Sequence, residues 1–151
     1  MPLETYNNVT FTGVFRHGVD AKNRLTIPAD WRSGEEGVLY VRLHTSGTHG
    51  IVLSPAQLDK KVAMIEQRQE LTQSKRLELI RQFASGSHRC CVDKQGRMVL
   101  PPECCKDAVV QGEVVVIGLS DQFEIWGAAH WNALEAAEAQ QDIDWEEELG
   151  I

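Results

Sequence analysis

The 151-residue sequence has no apolar run approaching the roughly 20 residues needed to cross a bilayer, so no membrane partner is expected. Its first ten residues, MPLETYNNVT, carry neither a basic start nor an apolar stretch. No secretory signal is therefore expected, and the cytoplasm is the expected address. No Ser or Cys stands in a G-x-S-x-G or comparable nucleophile setting, and the five histidines are scattered. The TSGT loop between His44 and His49 is too short and irregular to cradle phosphate. An enzyme, a small-molecule substrate and a cofactor are thus not expected. Cysteine is missing from the first half altogether. The four present form two adjacent pairs, Cys90–Cys91 and Cys104–Cys105, with 12 residues between them. Zinc ribbons and fingers use a pair-x2-pair spacing instead. Neighbours on a strand point to opposite faces, so one member of each pair would face away from a shared ion. No metal site is expected, and a reducing cytoplasm argues against a disulfide.

Basic residues are absent from residues 132–151, which hold seven of the 22 acids. The formal net charge of −7 therefore belongs to that end, and residues 1–131 carry no net charge. Residues 16–32 are locally basic, with Arg16, Lys22, Arg24 and Arg32 against Asp20 and Asp30. An acidic global balance is compatible with a basic binding face of this kind. The acidic end reads as a solvated tail.

The chain repeats itself. VDAKNRLTIP (19–28) and VDKQGRMVLP (92–101) share Val, Asp, Arg and Pro at matching places, 73 positions apart. GVLYVRL and GIVLSP follow the first copy; GEVVVIGL and QFEIWG follow the second. Each half reads as strand, turn, strand, short helix or loop, strand, strand, helix. Two copies make a tandem pair, since a solenoid needs about three or more. Ser54-Pro55 with Gln57 signals a helix start, and Leu58, Val62 and Ile65 follow at helical spacing. Thr72 is placed to cap a second helix ending at Gly86, and a third is expected from about 128 to 141 with Trp131 and Leu134 inward. The expected divisions are residues 9–58, a helical connector at 59–86, residues 87–141, and an acidic tail at 142–151. That tail is expected to be frayed or loosely docked through Trp145 and Leu149.

In DKQG, Asp93 suits the first position of a type I turn and Gly96 the fourth. A type I turn followed by a left-handed residue makes a common three-residue hairpin loop with a bulge. Asn23 takes the left-handed place in the first copy, where Asn is well tolerated. Asp20 and Asp93 are placed to accept bonds from amides two residues on, so the two Asp, Asn23 and Gly96 read as turn-fixing residues. Arg24 and Arg97 follow the turn. They suit either a partner role for the same Asp or an outward role, fixed at the base and open at the tip. Lys22 and Lys94 sit at or beside the apex. Such cations suit phosphate, and Arg also reads guanine edges.

FTGVFRHGVDAKNRLTIPADWR (11–32) and ASGSHRCCVDKQGRMVLPPECC (84–105) resemble the two halves of the MraZ family, bacterial transcriptional regulators with tandem AbrB-like (SpoVT-AbrB) domains. The family's mark is Asp-x-x-x-Arg once per half, here Asp20 with Arg24 and Asp93 with Arg97. Phe11-x-Gly13, His17, FEIW (123–126) and Trp131 extend the resemblance over roughly residues 9–135. It implies an α+β fold of two swapped-hairpin β-barrel repeats with connecting and C-terminal helices. It also implies a ring-shaped homo-oligomer on double-stranded DNA in the nucleoid. The target would be repeated promoter boxes, typically of the division and cell-wall gene cluster. Arg24 is then the first DNA contact, followed by Lys22, Arg97, Lys94 and Arg16. Asn23 stands where the family usually has Gly. The four cysteines replace ordinarily polar or apolar residues, and Cys105 matches Arg32 by position, so the second copy lacks that arginine. Two other readings of the sequence stay open: an oligomeric assembly protein that does not bind DNA, and a metal or redox sensor using the Cys pairs.

Overall fold

The computed structural model describes residues 3–105 and 112–151, with the Cys105 side chain outside the described set. The first half runs β1 (Val14–Gly18), β2 (Arg24–Thr26), a 3-10 turn (Ala29–Trp31), β3 (Gly37–Leu43), β4 (His49–Leu53) and α1 (Pro55–Glu66). After α2 (Gln73–Ser85) the order recurs as β5 (His88–Val92), β6 (Arg97–Val99), α3 (Pro102–Cys105), β7 (Glu113–Gly118), β8 (Gln122–Gly127) and α4 (Ala128–Ala139). A short α5 (Trp145–Leu149) follows.

The eight strands form one antiparallel sheet in the order β1-β7-β8-β4-β3-β5-β6-β2. A bridge between Val19 and Leu25 joins its two ends and curls the sheet into a barrel. Each hairpin of one half lies between hairpins of the other. β1 pairs with β7, β2 with β6, β3 with β5 and β4 with β8. The tandem swapped-hairpin expectation thus takes a concrete form: the two repeats interlock around a shared barrel core.

That core follows from strand alternation. On β7, Val114 and Val116 face the interior with Phe123 and Ile125 of β8. Val115 and Ile117 face outward, where Trp126, Trp131 and Leu134 cover them beneath α4. Both faces of β7 are therefore buried, which explains its unbroken apolar run. Phe11, Trp31 and Phe123 meet at centroid distances of 4.9–5.2 Å in edge-on and tilted contacts. The Trp31 indole N–H donates to the Thr12 carbonyl at 3.1 Å, satisfying its one polar group.

The helix ends follow their caps. The Ser54 hydroxyl accepts from the Gln57 amide at 3.3 Å with Pro55 at the first helical position, and Thr72 accepts from Lys75 at 3.1 Å. Gly86 ends α2 at φ −89°, an ordinary right-handed value rather than a left-handed cap. The tail differs from the frayed or docked segment expected. Residues 145–149 form a helix capped at both ends, and Trp145 and Leu149 point to solvent.

Gly118 is needed for close approach. A Cβ there would run into the Phe11 carbonyl and Thr12 amide. That strand is pinned by paired bonds between Phe11 and Ser120 at 2.8 and 2.7 Å. Gly118→Ala is expected to destabilise the protein by about 1–3 kcal/mol in chemical denaturation. Gly18→Ala, which meets nothing within 4 Å among the described residues, is expected to leave the midpoint unchanged.

Candidate nucleic-acid interface

The two motif hairpins are built alike, bond for bond. In the first, the Asn23 amide donates to the Asp20 carbonyl at 2.9 Å and the Asp20 amide to the Arg24 carbonyl at 3.1 Å. In the second, Gly96 donates to Asp93 at 2.9 Å and Asp93 to Arg97 at 3.0 Å. Asn23 has φ 59° and Gly96 φ 81°, both left-handed. Each Asp carboxylate then does three things. Its Oδ1 accepts from two turn amides, Lys22 and Arg24 at 2.9 and 2.8 Å, or Gln95 and Arg97 at 3.0 and 2.9 Å. Its Oδ2 accepts from the arginine Nε, at 2.7 Å for Arg24 and 2.8 Å for Arg97.

Both readings of the arginines thus hold at once. The Nε edge is fastened to the turn, while neither Nη of Arg24 or Arg97 has a hydrogen-bond partner among the described residues. The side chains remain 35% and 42% exposed. Lys22 and Lys94 are exposed at the turns, with no ion pair among the described residues.

Strand pairing brings the two motifs together. β2 and β6 are antiparallel, with Arg24 opposite Val99, Leu25 opposite Met98 and Thr26 opposite Arg97. Leu25 and Met98 are buried inside the barrel. By alternation Arg24, Thr26, Arg97 and Val99 share the outward face of this two-stranded ribbon. The pairing is symmetric about Leu25–Met98. Leu100 donates to the Asn23 carbonyl at 2.8 Å, and Ile27 donates to Gly96 at 2.9 Å. Arg24 and Arg97 line one shallow depression of about 200 Å³ between them, with Glu36 also on its wall. The contributions of Thr26 and Val99, and the cross-repeat pairing itself, lie beyond what the motif alone indicates; alternation along LTIP and MVLP is the signal that points to the outward positions.

Arg16 is not part of this face. It lies on β1, bound to Glu113 at 3.1 Å and to the Asn132 side chain at 3.3 Å. Arg32 instead braces the second hairpin. Its Nε donates to the Ile27 carbonyl at 2.9 Å, and its stem lies where a Cβ on Gly96 would come within 2.8 Å. Asn23 meets no such arginine in sequence terms, because Cys105 stands at the matching place, its side chain outside the described residues. The adjacent cysteines of β5 split as alternation requires, Cys90 inward and Cys91 outward. Burial, with Cys104 and Cys91 nearby, pushes the Cys90 thiol up to about 12. Among the described residues no cluster of three or more His, Cys, Asp or Glu is disposed to hold a metal.

The interlocked hairpins and their twin Asp–Arg turns define the chain as a tandem swapped-hairpin barrel protein of the AbrB-like type. Residues 83–148 match the family model described as "MraZ protein, putative antitoxin-like". The chain is 34% identical over 142 residues to the transcriptional regulator MraZ of Lactiplantibacillus plantarum, covering 92% of this chain and 97% of that one. It is 34% identical over 149 residues to the protein of the same name from Halothermothrix orenii, covering 93% and 99%. The corresponding protein of Natranaerobius thermophilus is 37% identical over 123 residues, covering 81% and 84%. The chain belongs to the MraZ family. These relatives are named as regulators of transcription rather than as enzymes.

Two outcomes are expected of the turns. Asn23→Gly should change stability by less than about 0.5 kcal/mol, whereas Gly96→Asn must displace Arg32 and should cost about 1–3 kcal/mol in denaturant unfolding. The carboxyls should titrate low. The Arg24 amide and guanidinium hold Asp20 below its ordinary value. Burial pushes Asp93 up, but bonds from the Arg97 amide and guanidinium outweigh it and leave the carboxyl lowered. The folded-state values being the lower, these turns contribute fully above the unfolded Asp value of about 3.9 and weaken as pH falls through the folded ones. Carboxyl-carbon NMR titrations should therefore inflect below about 3.9, with the Arg24 and Arg97 Hε resonances moving in the same step. Inflections above that value would show the bonds absent in solution.

Proposed function

We propose that this chain regulates transcription by binding double-stranded DNA through the β2–β6 ribbon, as a ring-shaped homo-oligomer on repeated promoter boxes. The observation that carries the reading is the pair of Arg24 and Arg97 side chains on one outward face. Each is fixed at Nε, and each keeps its Nη donors for an outside acceptor. A two-stranded ribbon fits the major groove, where Arg takes guanine O6 and N7 or phosphate oxygens. Holding Nε in place lowers the ordering cost of that contact. Lys22 and Lys94 flank the ribbon where groove-edge phosphates would lie. Arg16, engaged with Glu113 and Asn132, is the weakest of the proposed contacts. The near two-fold symmetry of the ribbon suits a target read from either strand. A ring lets several such modest faces engage successive boxes, so their affinities multiply through effective concentration. The family relationship supports the division and cell-wall gene cluster as the target.

Electrophoretic shifts with the chain's own upstream region test this. Arg24→Ala and Arg97→Ala should each weaken binding by about 1–3 kcal/mol per engaged subunit. The slope of log affinity against log salt should flatten by about one for every phosphate that the missing guanidinium no longer neutralises. Unchanged binding in the double variant would remove the ribbon as the contact surface. Assembly without salt-dependent DNA binding by the unaltered protein would favour a purely structural oligomer.

A further inference from the structure

The helical hairpin between the repeats leaves a groove of about 610 Å³ on the barrel's flank. Its floor is apolar, with Met64, Ile65, Leu79 and Phe83, and among the described residues no acidic side chain lines it. Arg42, Lys61 and Arg68 are the charged residues of its polar wall, beside Thr45, Gln67 and Gln82. The Arg42 guanidinium lies 5.2 Å above the Phe83 ring. Neither Arg42 nor Lys61 has an ion-pair partner among the described residues, while Arg68 holds Glu70 at 2.6 Å. Met64 is more than half exposed there. Nothing from the C-terminal end of the same chain enters the groove.

That end carries the complementary chemistry. Ile143, Trp145, Leu149 and Ile151 are all largely exposed, Trp145 by 58% and Leu149 by 67%. Trp145 and Leu149 stand four apart on α5 and so share a face. Asp142, Asp144 and Glu146 to Glu148 surround them, and no base lies within residues 132–151. The segment is also preformed. The Asp144 carboxylate accepts from the Glu147 amide at 3.1 Å. At the other end Gly150 sits at φ 71°, with Gly150 donating to Glu147 and Ile151 to Glu146 at 3.0 Å. This is a complete double-bonded C-cap. Large exposed apolar side chains held on a capped acidic helix are a ready anchor for an apolar groove with basic walls.

We infer that residues 142–151 of one copy dock in the α1–α2 groove of a second copy, with Trp145 and Leu149 on the Met64–Phe83 floor and the acids against Arg42, Lys61 and Arg68. The contact is head-to-tail, because groove and tail are different surfaces, and a head-to-tail contact that closes builds a ring. The inference rests on the self-assembly half of the proposed function and names the surface responsible.

Sedimentation of the full-length protein across a concentration series, alone and as variants, tests it. Trp145→Ala/Leu149→Ala should weaken association at least tenfold while leaving thermal unfolding of the dilute chain unchanged, since both side chains are exposed there. Lys61→Glu/Arg68→Glu should do the same. Combining it with Glu146→Lys/Glu147→Lys in one chain should restore association, and added salt should weaken the unaltered assembly. Equal association by the tail and groove variants and the unaltered protein would overturn the docking and leave the ring intact. A monomeric unaltered protein would overturn both the docking and the ring, while shift assays on Arg24→Ala would still report on the ribbon separately. Loss of association in the tail variant with none in the groove variant would place the tail elsewhere and overturn the inference.

Discussion

The outward arginines depend on one side chain acting in two directions. The carboxylate of Asp20, and again of Asp93, closes a hairpin through backbone amides with one oxygen and grips the arginine Nε with the other. Both ion pairs stay partly exposed, so most of the desolvation cost of an interior pair is escaped. An exposed ion pair alone contributes little to stability. Here its value is geometric, because the same atom set fixes turn, bulge and guanidinium orientation together. The left-handed backbone at Asn23 and Gly96 completes the loop at the lowest steric cost available to each residue.

Duplication supplies the second element of the design. Interlocking the repeats sets β2 against β6, and the pair is centred on Leu25 and Met98. Two modest cationic turns, distant in sequence, thereby become one symmetric ribbon. The symmetry is imperfect where it touches the barrel. Arg32 braces the second turn against Ile27, and its stem leaves room only for glycine at position 96. The two copies have diverged in packing while keeping the same hydrogen-bond scheme.

Much of this was legible in residues with steep local demands. Asp, the left-handed Asn or Gly, and the following Arg specify a bulged hairpin almost without context, and Ser54-Pro55 specifies a helix start. The order of elements in each half followed from the repeat. What sequence reading did not yield was mutual: which hairpin pairs with which, that Arg16 faces Glu113 and Asn132 rather than the ribbon, and that Gly96 answers to Arg32. Those facts depend on residues up to 116 positions apart, and local pattern carries no record of such partners. The tail misled for a related reason. Trp145 and Leu149 suggest a frayed or loosely docked end, yet within one chain they are largely exposed on a capped helix.

Interleaving has a cost at birth. β1 waits for β7, β4 for β8, and β2 for β6, so a nascent chain whose first half has left the ribosome carries strands whose edges have no partner yet. Closure of the barrel is deferred until the final hairpin emerges, and the contacts that reward it are long-range, which slows folding. A transcript truncated between the repeats would yield half of every cross-repeat pair and a sheet with nothing to complete it.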